Sequence, residues 1–446
     1  MENKEYLKYS RYVGKITHDL RQAYYKTGSI EEKKEIPLEP SQLDATQGLG
    51  NFPAFYLQGQ HCEKSDCGCC TNCFYSQFHY DEPDEKAIQA QCDYVIDNFE
   101  RLVLIQQYGT NEFDGERKYP NSKPIFMTLS PTGSFFSEKE FPKEVRLDFL
   151  RKLEKKSEEL KRDIVLHIEA HAIDVYRYQD YIKSSEESEI LRRLNAKCIL
   201  GFESSDEWSR NVLYNKHLPL NVFEDAVKVL HEVGIEPGAF VFSGLVTLTD
   251  KESKEDMLNS VKYLKEKGVF PVLMFANSQA WTLPDLLRWK GKHNLQEPCN
   301  VLDTIYGALE ILTDKGKSKP GYYLVPEPVE GPPYPDGNIF YDRTDIENIS
   351  EDASRQVHQI LKNLRATRNI PEFVRAWNNF RKTNPEYKRY KERTEAIESS
   401  KESKEIRFAN ALNFGVEHMA EYTEYRAEKD KEESGLEEDR YKIIKD

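Results

Sequence analysis

Five of the eight cysteines of this chain lie within residues 60–75, which read QHCEKSDCGCCTNCFY. Thiols this close together can form disulfides, bind zinc, hold an iron-sulfur cluster or act as a redox switch. Cys67, Cys70 and Cys73 are evenly spaced, and Cys69 stands beside Cys70. A structural zinc site normally takes paired ligands from two separated knuckles, and the sequence contains no second knuckle. The pattern therefore favours an iron-sulfur cluster over structural zinc.

The composition of the chain bears on the state of these thiols. Of 446 residues, 38% are hydrophobic and 31% charged, which is typical of a globular protein. No apolar run approaches the roughly 20 residues that span a bilayer, and the start MENKEYLKYSRY lacks the apolar core of a secretory signal. We therefore expect a cytoplasmic protein with no membrane partner, in which clustered thiols bind metal or do redox chemistry rather than form disulfides.

Three usable thiolates on one loop suit a 4Fe-4S cluster in which three irons take cysteine and the fourth iron is open to a ligand. The three cysteines outside the loop, Cys92, Cys198 and Cys299, stand singly. We expect Cys92 and Cys198 to be core residues, because their neighbours are apolar. A second hypothesis stays open, in which the loop holds zinc and stabilises a non-enzymatic binding protein.

Short apolar runs alternate with segments of helical periodicity after residue 50. Apolar residues recur at three- and four-residue intervals over 88–102, 145–153, 223–230 and 257–264, and Gly234 and Gly268 are placed to end two of these helices. The predicted strands are 52–58, 124–130, 163–170, 197–203, 238–246 and 269–276.

This alternation predicts the fold class. Nearly continuous apolar strands joined by helices predict a parallel α/β sheet, since right-handed crossovers wind such units into an open sheet or a barrel. Six units are fewer than the eight of a full barrel, so we predict a partial (β/α)6 TIM-like barrel. Ligands bind at the carboxyl ends of such strands. The cysteine stretch directly follows the first predicted strand and is therefore expected at the mouth.

The stretch PEPVEGPPYPDGN at residues 326–338 marks the boundary of this unit, because repeated prolines continue neither a helix nor a central strand. The expected organisation is an N-terminal extension over 1–50, the partial barrel over 51–325 and a helical, charged C-terminal segment over 339–446.

The cysteine spacing carries a family resemblance. Seven residues separate Cys62 from Cys70, two residues separate Cys70 from Cys73, and Phe74 follows Cys73. This resembles the longer cysteine loop of radical S-adenosylmethionine (SAM) enzymes of the Elp3-like branch and of the radical SAM subunit of archaeosine synthase, rather than the usual CxxxCxxC loop. Residues 130–146, 201–241 and 275–291 are similar to further segments of that subunit in the same order, so the resemblance covers about residues 50–315.

The resemblance implies which residues hold the cluster. Cys62, Cys70 and Cys73 would be its ligands, and Cys67 is an alternative to Cys62 because both precede Cys70 on the loop. In many relatives an aromatic residue before the last cysteine packs beside adenine. Here Asn72 holds that place, so Phe74 and Tyr75 are the candidates for this role, with no adenine-packing residue as the alternative.

Residues at strand ends would bind SAM. Thr132, Gly133 and Ser134 stand where the family contacts the SAM amino group, with an ordinary glycine turn as the alternative. Glu203 stands where an acidic residue contacts the SAM ribose or amino group, although a carboxylate there could also cap the next helix. Arg210 would grip the SAM carboxylate in a bidentate fork, with a surface arginine as the alternative.

Two further pairs follow the ends of strands. Glu169 and His171 share one face of the third predicted strand because strand residues alternate with a period of two, and they would face the cavity toward SAM or substrate. Asn277 and Gln279 follow the sixth strand similarly, although buried amides could equally satisfy loop backbone.

The implied activity is that of a radical SAM enzyme with a 4Fe-4S cluster and SAM as cofactors. It would reductively cleave SAM to give a 5'-deoxyadenosyl radical that abstracts hydrogen from a small-molecule or peptide substrate, with an electron donor such as ferredoxin or flavodoxin. A tRNA-modifying enzyme like archaeosine synthase is the alternative within the family. The net charge of -14 disfavours it, because that field repels a phosphate backbone.

Overall fold

The structure is a computed structural model. It describes residues 3–26, 41–45, 52–57, 62, 85–100, 124–131, 133–275, 280–291, 298–313, 351–367, 369–400 and 402–443. Within these ranges seven strands form one sheet in sequential order. The strands are β1 (Ser41–Ala45), β2 (Phe52–Leu57), β3 (Ile125–Pro131), β4 (Ile164–Ala170), β5 (Lys197–Glu203), β6 (Glu236–Ser243) and β7 (Phe270–Phe275).

Helices follow the strands and fill the C-terminal region. They are α1 (Asn3–Lys26), α2 (Glu85–Asp97), α3 (Lys143–Leu160), α4 (Ala172–Arg177), α5 (Gln179–Ser184), α6 (Glu186–Arg193), α7 (Leu220–Val233), α8 (Asp250–Glu266), α9 (Leu283–Trp289), α10 (Pro298–Leu312), α11 (Glu351–Thr367), α12 (Ile370–Thr383), α13 (Pro385–Ser400) and α14 (Lys404–Ile443). A π-helical turn spans Ser209–Leu213 between β5 and α7. No described helix is long and apolar enough to span a bilayer.

The connectivity confirms the predicted fold. β1 pairs antiparallel to β2, and β2 through β7 pair in parallel, each with the next strand in sequence. Because the strand order never reverses, right-handed crossovers keep the helices on one side of the sheet. A sheet wound in this single direction is a partial (β/α)6 barrel, with the other face of the strands turned inward.

All six strands predicted from the sequence are confirmed. Five agree with the structure to within one residue at each end, and β6 starts two residues earlier and ends three residues earlier than predicted. The four predicted helical segments correspond to α2, α3, α7 and α8. Gly234 ends α7 at a φ of 75°, and Gly268 follows α8 at 69°, where the absence of a Cβ makes the left-handed conformation accessible. The sequence did not predict β1, which reads SQLDA.

The strands divide their side chains between two faces. Alternate residues of β2 to β6 pack under the helices into the main hydrophobic core: Phe55, Leu57, Ile125, Met127, Leu129, Ile164, Leu166, Ile168, Ala170, Cys198, Leu200, Phe202, Ala239 and Val241. We call this the helix-facing side. The residues between them form the inward face, since successive strand side chains point to opposite sides.

The C-terminal helices join this architecture at two places. Val357, Trp377 and Tyr390, from α11, α12 and α13, belong to the same core as the strands. A second hydrophobic cluster joins α1, the π-helical turn, the chain around Trp281 and α14. There the Tyr422 hydroxyl of α14 accepts from the Trp281 amide at 2.9 Å and donates to Asp285 at 2.6 Å. The predicted boundary at 326–338 lies outside the described residues, and the division into domains stays a prediction.

Candidate functional site

Three consecutive parallel strands bring polar residues together at their carboxyl ends. Cys62 follows β2, Ser134 follows β3 and His171 follows β4. The Cys62 Sγ lies 3.6 Å from the His171 Nε2. The His171 amide donates to the Ser134 Oγ at 3.1 Å, which ties the chain after β3 to the end of β4. Cys62, the first cysteine of the five-cysteine stretch, therefore lies at the carboxyl edge of the sheet.

Glu140 adds a carboxylate to this edge. Cys62, Glu140 and His171 each offer one atom that could ligate a metal, and these three atoms lie within 4.8 Å of one another. The buried Glu140 Oε2 accepts from the Ser134 amide at 3.0 Å. A Cβ on Gly133 would collide with this carboxylate, so glycine is needed there for the close approach. Nothing in the local sequence marks Glu140, because two of its neighbours, Cys62 and His171, follow other strands.

Asp174 supports the imidazole of His171 from the first turn of α4. Its buried Oδ2 lies 3.4 Å from the His171 Nδ1, and Nε2 is the atom near Cys62. A carboxylate on one ring nitrogen fixes the orientation of an imidazole whose other nitrogen faces a thiol. His171 is thus held with its Nε2 toward Cys62 at the carboxyl edge.

The inward face directly below this edge is polar. The Tyr56 hydroxyl of β2 donates to the Glu169 Oε1 of β4 at 3.2 Å, across the intervening β3. Ser130 of β3 pairs in register with Tyr56. One step deeper, Thr128 pairs with His167. Burial lowers the pKa of His167 to about 3, with a smaller contribution from the Lys197 cation, so this imidazole is neutral at physiological pH.

An ion pair occupies the end of β5. The Lys216 Nζ donates to the Glu203 Oε1 at 2.8 Å, and the two side chains are 12% and 5% exposed. A Cβ on Gly201 would collide with the Lys216 ammonium, so the absence of a side chain at Gly201 leaves room for Lys216 beside β5. The sequence placed Lys216 within a family-like segment but gave it no role.

The backbone around this ion pair is strained. Glu203, Asn215 and His217 have φ values of 72°, 59° and 53°, in the left-handed region that residues other than glycine rarely adopt. The β5–β6 register also shifts between Gly201 and Glu203. Such strain persists only where surrounding structure imposes it, and it clusters at ligand sites.

Arg210 lies on the π-helical turn and is fully buried, so the surface-arginine alternative is wrong. Its Nε donates to the Leu218 carbonyl at 2.8 Å, and its Nη1 donates to the carbonyls of Ser204 and Ser205 at 2.8 and 3.2 Å. These bonds hold the chain after β5 against the segment that precedes α7. They give Arg210 a positioning role, and its contact with a SAM carboxylate stays a prediction.

The cysteines outside the stretch are buried. Cys92, Cys198 and Cys299 are enclosed, which confirms the expectation that the first two are core residues. Burial raises the pKa of the Cys92 and Cys198 thiols, so both are inert. Cys62, in contrast, is partly exposed.

Several residues that the sequence proposed lie outside the described residues. They are Cys67, Cys69, Cys70, Cys73, Phe74, Tyr75, Thr132, Asn277 and Gln279. Of the proposed set, the structure brings Cys62, Ser134 and His171 together at the carboxyl edge, and it places Glu169 on the inward face and Glu203 at the end of β5. The roles assigned to all of these residues toward SAM or a cluster stay predictions.

Comparisons with known proteins give no family. No family model and no curated protein matches the sequence. Eight chains of solved structures match, among them the archaeal Methanocaldococcus infernus Elp3 with N-terminus deletion (1-46), at 14% identity and a TM-score of 0.32. The match covers 50% of this chain and 49% of that chain, so this protein spans about half the length of the chain it matches. A likeness at this level identifies no function for this chain.

Proposed function

We propose that the protein is a radical SAM enzyme that cleaves SAM at a 4Fe-4S cluster and abstracts hydrogen from a small-molecule or peptide substrate. One observation carries the proposal: Cys62, which opens the five-cysteine stretch, lies at the carboxyl edge of a partial barrel beside inward-facing polar residues. That edge is where such barrels bind their ligands. The sequence motifs that resemble the family support the same reading.

The residues present suit a cluster and SAM. Cys62 is a partly exposed thiol at the mouth, and Cys70 and Cys73 follow it on the same stretch as the other candidate ligands. Glu203 and Lys216 offer opposite charges that match the ammonium and carboxylate of an amino acid. A 4Fe-4S cluster held by these cysteines, once reduced by an electron donor such as ferredoxin or flavodoxin, would supply the electron that breaks a carbon-sulfur bond of SAM to give an adenosyl radical.

The protein residues bind, orient and exclude water. Glu203, held by Lys216 and by its strained backbone, accepts from the ammonium or a ribose hydroxyl of SAM. Glu140 and His171 fix the chain after β3 and β4 through Ser134, so the edge is rigid before a ligand arrives. The helix-facing core closes one side of the sheet, and the inward face shields the reacting atoms from solvent.

Anaerobic reconstitution tests the proposal. The wild-type protein should become brown, take up about four irons and four sulfides per chain, and form 5'-deoxyadenosine from SAM when reduced. Cys70→Ser and Cys73→Ser should lose both properties, whereas Cys198→Ala, which removes a buried thiol, should keep them. Comparison of Cys62→Ser with Cys67→Ser identifies the remaining ligand. A protein that gains no iron, or gains iron without consuming SAM, would refute the proposed function.

A mononuclear zinc site is the second candidate. Cys62, Glu140 and His171 offer sulfur, oxygen and nitrogen donors within 4.8 Å of one another, and zinc accepts all three ligand types. This function predicts a colourless protein with about one zinc per chain that is lost in His171→Ala. Metal analysis of the same preparations therefore separates the two candidates.

A further inference from the structure

We infer that Tyr56, Ser130 and Glu169 form a subsite inside the barrel that binds a primary ammonium group of the substrate. The inference rests on the proposed function and goes beyond it, because it names the chemical group by which the substrate is held. It also implies an orientation, in which the amine enters first and the reacting carbon lies nearer the mouth.

The three residues share one location. Tyr56 and Ser130 are register partners on adjacent parallel strands, so their side chains leave the sheet on the same side. Their chain neighbours Phe55, Leu57 and Leu129 belong to the helix-facing core, which places Tyr56 and Ser130 on the inward face. Glu169 lies between the helix-facing Ile168 and Ala170 and is inward by the same alternation.

The subsite lies just below the mouth. Glu169 precedes His171 by two residues, which corresponds to roughly 6.6 Å along a strand, and His171 contacts Cys62. Below the subsite, Thr128 and the neutral His167 form the next inward layer. A group held at Glu169 is therefore inside the barrel, one layer removed from the candidate metal ligands.

Ser130 supplies the independent sign of a ligand. It is completely buried, and its Oγ has no hydrogen-bond partner among the described residues. A buried hydroxyl without a partner costs free energy, so native proteins retain few of them without a further role. Here the hydroxyl is on the inward face beside the Tyr56–Glu169 hydrogen bond, where a bound group could pair with it.

The chemistry of the three side chains favours an ammonium. Glu169 contributes a carboxylate, which also accepts from the Tyr56 hydroxyl. The oxygens of Tyr56 and Ser130 also accept hydrogen bonds. An ammonium has about three N–H donors and a positive charge, which matches three acceptor groups of which one is anionic. A phosphate or carboxylate would be repelled by Glu169.

Binding of small amines to the anaerobically reconstituted full chain tests the inference. The probes are n-pentylammonium and n-pentyltrimethylammonium, which carry the same charge but differ in N–H donors, with affinities measured by ligand-detected NMR. The wild-type protein should bind the primary amine about tenfold more tightly than the quaternary one. Glu169→Gln should weaken binding of the primary amine about tenfold, and Tyr56→Phe and Ser130→Ala about threefold each.

Glu207→Gln is the matched control, because it removes one negative charge from an exposed position after β5. It should leave both affinities unchanged. Equal binding of the two probes by the wild-type protein, or equal effects of Glu169→Gln and Glu207→Gln, would overturn the inference. Melting temperatures of all variants show that the differences do not reflect unfolding.

SAM also carries an ammonium group. Measurements of SAM binding therefore show whether the subsite holds the ammonium of SAM or that of the substrate. SAM affinity, measured by equilibrium dialysis, should be unchanged in Glu169→Gln, and SAM should not displace n-pentylammonium. If SAM affinity falls and SAM displaces the probe, the subsite serves SAM and its assignment to the substrate is wrong. Iron and sulfide are measured on the same samples, so failure to form a cluster is read separately from failure to bind the amine.

Discussion

The two faces of the same strands have opposite characters. Leu129 and Ser130 are neighbours in β3 and both are 0% exposed, yet Leu129 packs into the main core and the Ser130 hydroxyl has no partner among the described residues. The helix-facing side is apolar from β2 to β6. The inward face carries Tyr56, Glu169 and Glu203 near its carboxyl edge. Equal burial therefore accompanies apolar packing on one face and a buried hydroxyl without a described partner on the other.

The largest expected effect comes from a polar pair in the helix layer. Arg146 of α3 and Glu187 of α6 are 1% and 0% exposed and pair at 2.7 Å, and Arg146 also donates to the carbonyls of Phe135 and Phe141. Arg146→Leu leaves the buried Glu187 carboxylate without its counter-charge, with only the Tyr181 hydroxyl still donating to it, and should lower the free energy of unfolding by about 3–5 kcal/mol. In urea titrations, Arg146→Leu/Glu187→Leu should recover much of this loss. A double variant as unstable as the single one would show that the ion pair is not the cause.

The neighbouring pair in β3 sharpens the comparison. Leu129→Ala should lower the free energy of unfolding by about 2–5 kcal/mol, because it leaves a cavity in the core. Ser130→Ala should lie within about 1 kcal/mol of the wild-type protein, since it removes a hydroxyl that has no partner among the described residues. Urea unfolding measures both. Similar losses in the two variants would mean that the faces do not differ as described.

A partly buried carboxyl in the helix layer should make stability depend on pH. Burial raises the pKa of Asp256 from 3.8 to about 7, and the nearby Asp206 carboxylate adds to the rise. The folded protein therefore holds a proton at this group that the unfolded chain has released. Its contribution to stability is complete below about pH 4 and is lost as the pH rises through 7.

Asp256→Asn removes this dependence. Between about pH 4 and 7, the free energy of unfolding of the wild-type protein should fall relative to Asp256→Asn by roughly 1 kcal/mol per pH unit. Urea titrations at several pH values measure the difference between the two proteins. A constant difference across that range would show that Asp256 ionises normally.

A smaller effect on stability than that of Arg146→Leu is expected on the inward face at β5. Gly201→Ala pushes the end of Lys216 away from the buried Glu203 carboxylate, so the free energy of unfolding should fall by about 1–3 kcal/mol. SAM affinity should also fall about tenfold, because Lys216 no longer pairs with Glu203. Gly238→Ala on β6 is the control: its Cβ meets the Phe270 ring, so it should lower the melting temperature and leave SAM affinity unchanged. Normal SAM affinity in Gly201→Ala would show that the Glu203–Lys216 ion pair does not contribute to SAM binding.

The sequence predicted what depends on local periodicity. The six parallel strands and the four periodic helices are recognisable because burial repeats along each element. β1 was not predicted because SQLDA is short and mostly polar, and the apolar residues of this strand pair belong to β2. The roles of Arg210 and Glu140 could not be predicted, since their partners lie six to eight residues away in non-periodic stretches whose conformation the sequence pattern does not indicate.

The hydrogen bonds of Tyr422 have a consequence for biosynthesis. Trp281 and Asp285 follow the last strand of the barrel, but their hydroxyl partner is about 140 residues further along the chain. During translation the strands emerge well before α14, so a nascent barrel has its final unit unanchored until most of the chain has left the ribosome.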